Sequence, residues 1–333
     1  MTSVWVAGGL CHASLRLAVL GRDVAVTPGF AAGNAAPGAL LCDLSDGEFT
    51  RLRAYATAMC AIWHDGPIET SVGQADALAL DETRDVTPED VALAEHIMRL
   101  IGVVEPDQLS RRLGSLRVEA ASRVRAGGSA HRGLRVGTGE VVEVARRVPH
   151  AGFFAVAEVV LSYRRFDGAM SGALTREIFL AGDAVTVLPY DPVRDRVLLI
   201  EQMRMGPHGR GDPLPWQLEA IAGRIDPEET PEDGARREAI EEAGLALGMM
   251  VKVAEYYPSP GALSEYLYSY VALCDLPDGA AGVFGAAEEA EDIRGHLMGF
   301  EALMALVASG EVANAPLLLT ALWLQRERPR LRG

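Results

Sequence analysis

The segment 222–245, AGRIDPEETPEDGARREAIEEAGL, constrains the fold of this chain more than any other. Thr230 is a good helix N-cap, Pro231 suits the first helical position, and Gly244 can adopt the left-handed conformation that ends a helix. These signals predict a helix over 231–243 with a loop before it.

Three carboxylates follow the period of this predicted helix. At about 100° per residue, Glu238 and Glu242 share one face and Glu241 lies on the adjoining edge. Like charges at this spacing destabilise an isolated helix, so the patch favours a cation. Magnesium fits, because it takes one or two carboxylates together with phosphate oxygens. Arg237 can pair with Glu229 and Glu241 and orient the patch. The alternative is an ordinary solvated helix face.

The same segment resembles the Nudix box at every specified position: Gly223, five residues, Glu229, seven residues, then REAIEEAGL. Nudix hydrolases cleave a nucleoside diphosphate linked to another group, with a loop-helix-loop that holds magnesium. The resemblance implies that Glu238 and Glu242 bind Mg²⁺ or Mn²⁺, more than one ion per site, with Glu241 assisting and the carbonyl of Ala222 completing the shell. It implies structural roles for four residues, namely Gly223, Glu229, Arg237 and Gly244.

The flanks of the box look like the bacterial ADP-ribose pyrophosphatase subfamily from about residue 150 to 328. The matching stretches include REIFLAGDAVTVLPYDPVRDRVLLIEQMR, PWQLEAIAG and SPGALSE. The resemblance implies hydrolysis of ADP-ribose to AMP and ribose 5-phosphate. Ser259 and Gly261 belong to the motif that marks this specificity, Glu265 fits the pattern, and Leu263 departs from it. The alternatives are another nucleoside diphosphate derivative, a sugar nucleotide or dinucleotide, or a ligand-binding regulatory protein.

Hydrolysis needs a base that accepts a proton from water. Glu289 and Glu291, in AAEEAEDIRGH, match the acidic loop that supplies the base and a further metal contact in the subfamily. We expect Glu289 to be the base, with Glu291 as the second candidate base and a metal ligand. For this stretch alone, a solvated acidic loop is the alternative.

The remaining predicted substrate contacts lie outside the box. Arg204 follows LLIEQM and is a candidate for a bidentate phosphate contact, although an arginine at a strand end commonly faces solvent. Glu219 lies on a predicted strand that leads to the metal site. In the resemblance, Arg176 belongs to a strand near an adenine site assembled across a dimer interface, which implies a homodimer through the Nudix domain. The predicted substrate-binding set is Arg176, Arg204, Glu219, Ser259, Gly261 and Glu265.

The fold class expected for the whole chain is α+β, with two domains. We predict a domain over 1–125, a Gly-rich linker over 126–145, and a Nudix α/β/α sandwich with a mixed sheet over 146–333. Residues 1–60 weakly resemble the gamma-glutamylcyclotransferase-like fold. The glutamate that serves that family as acid/base is replaced by alanine in the stretch LRAYA. The resemblance therefore implies a non-catalytic first domain that serves binding or assembly, and the alternative is that Glu69 takes the place of the missing acid/base.

The charge of the chain limits its partners. The 46 acidic and 31 basic side chains give a net charge of −15, which repels nucleic acid and anionic membranes. An acidic protein with a phosphate-bearing substrate needs divalent cations to neutralise its site. The apolar run APLLLTALWL is too short to span a bilayer, and no secretory signal pattern is present. The four cysteines form no CxxC pair, so we predict a cytoplasmic protein without a disulfide framework.

Overall fold

The computed structural model divides the chain into two compact units, Met1–Ala181 and Gly182–Gly333. It describes residues 2–7, 10, 12–22, 24, 26–28, 40–59, 62–70, 73–79, 85–127, 134–135, 137, 139–285 and 292–333. No helix in these ranges is both long and apolar enough to cross a membrane. The domain limits expected from the sequence, 1–125, 126–145 and 146–333, remain a prediction.

Unit 1 holds eight of the described strands and five of the described helices. The strands are β1 (Thr2–Ala7), β2 (Val26–Pro28), β3 (Leu40–Leu44), β4 (Ile62–Thr70), β5 (Gly73–Ala79), β6 (Val141–Ala151), β7 (Ala155–Tyr163) and β8 (Leu174–Leu180). The helices are α1 (Ala13–Leu20), α2 (Asp46–Ala58), α3 (Pro88–Leu100), α4 (Pro106–Arg111) and α5 (Leu113–Gly127). Strand β6 begins inside the segment predicted as a linker.

Two sheets organise unit 1. The first has the order β2-β3-β1-β5-β4, with β1 and β5 parallel, and the second is the antiparallel sheet β6-β7-β8. One apolar core joins residues of β1 and β3 to helices α1 to α5. Helix α2 begins with a capping box of Ser45 and Glu48, and α3 begins with one of Thr87 and Asp90. In both boxes the side chain of the N-cap residue accepts from the backbone N–H three residues later, and the acid there accepts from the N-cap backbone.

Unit 2 holds the remaining elements of the described chain. The strands are β9 (Ala184–Asp191), β10 (Arg196–Met203), β11 (Trp216–Glu219), β12 (Ile221–Arg224), β13 (Met250–Tyr256), β14 (Leu267–Leu273), β15 (Val283–Phe284) and β16 (Ile293–Gly299). The helices are α6 (Met205–Arg210), α7 (Pro231–Ala243), α8 (Phe300–Ser309) and α9 (Ala315–Arg332). Helix α7 has the limits predicted from the sequence.

The sheet of unit 2 has the order β13-β14-β9-β10-β16-β15, with β11 paired to β10 and β12 to β9. It is mixed, because β14 and β9 are parallel and the other pairs are antiparallel. Alternate residues of β10 face opposite sides. Leu198 and Ile200 pack in a core with α7, while Val197 and Leu199 pack in a core with α8 and α9. This arrangement confirms the predicted α/β/α sandwich.

Candidate active site

Helix α7 is held at both of its ends. At the N-terminus the Thr230 hydroxyl accepts a hydrogen bond from the Asp233 backbone N–H at 3.2 Å. The Tyr270 hydroxyl on β14 donates to Glu232 Oε1 at 2.8 Å and ties the first turn to the sheet. At the C-terminus Gly244 has a φ of 58°, in the left-handed region that glycine adopts without strain. Helix α7 therefore holds its carboxylates in defined positions.

Gly223 on β12 leaves the space that the Glu238 carboxylate fills. A Cβ built at position 223 would lie 1.9 Å from Glu238 Oε1, far inside van der Waals contact. Strand β12 is held in place by pairing with β9, where Gly223 is opposite Val185. A glycine is thus required here, because a side chain of α7 packs directly on the strand backbone.

Glu242 lies against the preceding residue of the same strand. Glu242 is only 2% exposed, and its Oε2 accepts a hydrogen bond from the Ala222 backbone N–H at 3.0 Å. The Gln202 amide on β10 approaches Glu242 Oε1 at 3.5 Å. The structure therefore brings together the helix carboxylates of Glu238 and Glu242 and the backbone of β12.

Arg237 organises the loop, the strand and the helix around these carboxylates. Its Nε and Nη2 donate to the two oxygens of Glu229 at 2.9 and 3.1 Å, and Nη2 also donates to the Arg224 carbonyl at 2.8 Å. Its Nη1 donates to Glu238 Oε1 at 2.7 Å and to Glu241 Oε2 at 3.1 Å. The hydrogen bond with Glu229 is the main cause of the raised pKa of Arg237. The same bond lowers the pKa of Glu229.

We expect the Arg237→Lys variant to lose at least about tenfold in catalytic rate, because lysine keeps the charge but not the planar fork that reaches four partners. Steady-state kinetics measures the loss of rate, and thermal unfolding measures any accompanying loss of stability. The matched control is Arg210→Lys, an exposed arginine of α6. Rates equal to the control would show that charge alone positions the site.

A second polar group lies beside β10 and β11. Arg204 Nε donates to Glu219 Oε2 at 2.7 Å, so this arginine is paired with a carboxylate in the structure. Burial raises the pKa of Glu265, Asp183 raises it further, and Arg224 and Arg204 act against both effects. Three of the predicted substrate-binding residues therefore interact with one another, since Arg204 is paired with Glu219 and its charge also acts on Glu265.

Sequence reasoning missed three residues of this site, Gln202, Asp183 and Arg224. Asp183 and Gln202 are 2% and 6% exposed. A buried carboxylate and a buried amide beside a site are visible only after the strands pair, since Gln202 and Glu242 are 40 residues apart. The one available sequence signal was Arg224, which directly follows Gly223.

The remaining predicted site residues are two in a turn of unit 2, one on a strand of unit 1 and two outside the described chain. Ser259 and Gly261 are exposed, in a turn where the Ser259 carbonyl accepts from the Ala262 and Leu263 backbone N–H groups at 3.1 and 3.0 Å. Arg176 lies exposed on β8, in unit 1, and donates to the Thr175 carbonyl at 2.8 Å. Glu289 and Glu291 fall within 286–291, outside the described residues.

The donor set of the site suits a hard divalent cation. Glu238 and Glu242 offer carboxylate oxygens, and Ala222 offers a backbone carbonyl. In the described ranges, no three or more His, Cys, Asp or Glu side chains gather as a metal-binding group. Oxygen donors with only one or two carboxylates are what Mg²⁺ takes, because it keeps several waters and binds substrate phosphates. The residues present therefore fit a cation that shares its coordination with the substrate.

The match to a known protein family falls in the C-terminal part of the chain, which contains this site. A family model described as NUDIX domain matches residues 181–319. An ADP-ribose pyrophosphatase of Escherichia coli is 40% identical over 197 residues, which cover 59% of this chain and 93% of the relative. The ADP-ribose pyrophosphatase of Haemophilus influenzae is 35% identical over 178 residues, which cover 53% and 82%. A GDP-mannose pyrophosphatase of an Enterobacter species is 33% identical over 150 residues, which cover 45% and 77%.

Proposed function

Because this chain belongs to the Nudix family of hydrolases, we propose that it hydrolyses the pyrophosphate of ADP-ribose to AMP and ribose 5-phosphate. The observation that supports this chemistry is that Glu238 packs against Gly223 and Glu242 accepts a hydrogen bond from Ala222, the preceding residue of β12. The choice of ADP-ribose as the substrate rests on the two relatives of 35% and 40% identity, since both are ADP-ribose pyrophosphatases.

In this proposal Glu238, Glu242 and the carbonyl of Ala222 hold Mg²⁺ or Mn²⁺, more than one ion per site. When bound by these residues, the metal would supply positive charge near the pyrophosphate and would lower the pKa of water. Arg237 holds Glu238 and Glu241 in place through hydrogen bonds of 2.7 and 3.1 Å. The metal and its ligands explain how a chain of net charge −15 retains an anionic substrate.

We assign the proton transfer to the acidic segment that contains Glu289 and Glu291. Glu289 accepts the proton of the attacking water, and Glu291, the second candidate for this role, also contacts metal. Support for both roles comes from the match of EEAEDIRGH to the subfamily. Glu241 assists from the exposed edge of α7, where its side chain is 44% exposed.

The substrate contacts proposed are Arg176, Arg204, Glu219, Ser259, Gly261 and Glu265. The Arg204 and Glu219 pair at 2.7 Å supports a polar wall beside the site, because an arginine held by a carboxylate keeps further N–H donors for phosphate oxygens. The protein acts in the cytoplasm as a homodimer through its Nudix domain. The first domain, gamma-glutamylcyclotransferase-like and non-catalytic, serves binding or assembly.

The test is the release of AMP and ribose 5-phosphate from ADP-ribose by the purified full chain, followed by chromatography with and without Mg²⁺. We expect kcat/KM for ADP-ribose to exceed that for GDP-mannose by at least about tenfold, which corresponds to about 1.4 kcal/mol of transition-state binding. A preference for GDP-mannose would favour the sugar nucleotide alternative, which the GDP-mannose pyrophosphatase relative supports. No hydrolysis of either compound would refute both proposals.

A further inference from the structure

One buried amide lies between two carboxylates of the candidate active site. Gln202 is 6% exposed, and its Nε2 lies 3.4 Å from Glu219 Oε2 and 3.5 Å from Glu242 Oε1. Glu219 belongs to β11 and Glu242 to α7, so a single side chain of β10 reaches two other elements of unit 2. Gln202 is therefore placed to act on a proposed substrate contact and on a proposed metal ligand at the same time.

The position of Gln202 in the sheet explains why its amide points toward both acids. Alternate residues of a strand face the same side, and Leu198 and Ile200 of β10 pack in the core that includes α7. Gln202 continues this row. Ile200 is directly opposite Glu219 in the pairing of β10 with β11, so Glu219 is the diagonal neighbour of Gln202 on the same face. The register of two paired strands thus sets the contact.

An amide suits this position because both of its neighbours, when ionised, only accept hydrogen bonds. The Gln202 Nε2 carries two N–H groups, which is one for each acid. A positively charged side chain here would compete with a metal cation for Glu242, and an aliphatic one would leave the two acids without a donor between them. The amide supplies donors and leaves the negative charge of the acids available to a metal.

The amide completes a continuous line of contacts across the site. Arg204 donates through Nε to Glu219 Oε2 at 2.7 Å, and its Nη2 lies 2.7 Å from the same oxygen. Gln202 approaches this oxygen and Glu242, which in turn accepts from the Ala222 backbone N–H at 3.0 Å. The line begins at an arginine side chain that is 38% exposed and ends at the backbone of β12.

The two amide contacts are nearly equal in length. Both are longer than the most common N–H···O distance of about 2.9 Å, so the amide is shared between the acids and not committed to one of them. A change in the position or charge of either acid therefore acts on the other through the same two N–H groups.

We propose that Gln202 is a positioning residue of the hydrolase site, which holds the Glu242 carboxylate for the metal and links it to the pair of Arg204 and Glu219. Gln202 acts through the two acids and contacts neither metal nor substrate. The proposal depends on the proposed function, in which Glu242 binds Mg²⁺ and Arg204 contacts phosphate. Binding of the metal and binding of the anionic substrate are then coupled, and such coupling is reciprocal.

The test measures Mg²⁺ binding in the absence of substrate. The unfolding temperature of the EDTA-treated full chain is followed with increasing Mg²⁺, because a ligand that binds only the folded state raises it. Gln202→Met removes both N–H donors and keeps an unbranched side chain that adapts to its surroundings. We expect this variant to bind Mg²⁺ at least about tenfold more weakly than the wild type, as when a group that orients a metal ligand is lost.

Unfolding in EDTA alone separates a loss of metal binding from a loss of fold, and Gln202→Met is expected to unfold near the wild-type temperature there. Gln202→Asn keeps the amide but shortens its reach by one methylene, and it is expected to weaken Mg²⁺ binding as well. Gln217→Met is the matched control. Gln217 lies directly opposite Gln202 and donates to the Trp216 carbonyl at 3.1 Å, so its loss is expected to leave Mg²⁺ affinity unchanged.

A double-mutant cycle tests the link to the second acid. Glu219→Gln is expected to weaken Mg²⁺ binding by itself. When it is combined with Gln202→Met, the total loss is expected to be at least about threefold smaller than the product of the two single losses, because the shared contact is removed only once.

Wild-type Mg²⁺ affinity in Gln202→Met and Gln202→Asn overturns the proposal, and so do losses that simply multiply in the double variant or an equal loss in Gln217→Met. A wild type that shows no response to Mg²⁺ overturns it together with the proposed metal site. Because the assay records binding without turnover, a failure to hydrolyse ADP-ribose refutes the proposed substrate and leaves the result for Gln202 unchanged.

Discussion

Glu242→Gln is expected to hydrolyse ADP-ribose at least about 100-fold more slowly than the wild type. The substitution removes the negative charge of a side chain that is almost fully buried, beside the backbone of β12. The new amide keeps an oxygen that can accept the hydrogen bond from the Ala222 N–H, so the fold is expected to persist. The measurement is kcat at saturating Mg²⁺ and substrate, together with the unfolding temperature.

The control for this experiment is Glu311→Gln, which removes one negative charge from an exposed residue that follows α8. Its rate is expected to match the wild type. If Glu242→Gln retained more than about a third of the wild-type rate, a difference of less than 1 kcal/mol in the barrier, Glu242 would not be a metal ligand.

Gly223→Ala is expected to lower kcat by about 100-fold while the protein still folds, because a displacement of about 1 Å at a reacting group costs this much. The added Cβ would meet Glu238 Oε1 at 1.9 Å. The strand is fixed by its pairing with β9, so the end of the flexible glutamate side chain must move. The loss should therefore appear in metal dependence and rate rather than in stability.

Gly209→Ala on α6 is the matched control, because a Cβ there meets nothing within 4 Å. Its rate and unfolding temperature are expected to equal those of the wild type. Full activity of Gly223→Ala would mean that the position of the Glu238 carboxylate against β12 is irrelevant to hydrolysis.

The parts of the fold that the sequence predicts well depend on consecutive residues. Thr230 and Gly244 mark the ends of α7, and both have the predicted conformation. Ser45 with Glu48 marks the start of α2 in the same way. A helix end is a local event, since a cap satisfies backbone groups within three residues.

Other features of the structure could not be predicted from the pattern of neighbouring residues. Helix α6, with the sequence MGPHGR, was not predicted because two glycines and a proline disfavour a helix that short. The helix face of Glu238 and Glu242 was predicted, but its contact with β12 needs strand pairing.

Arg237 gives the helix carboxylates a counter-charge that belongs to the chain itself. Its guanidinium bonds to Glu238, Glu241 and Glu229 in the folded protein. Repulsion between these acids is therefore relieved during folding, before any cation arrives. A metal held by these carboxylates would bind to a helix that is already ordered, so none of its binding free energy would be needed to order that helix.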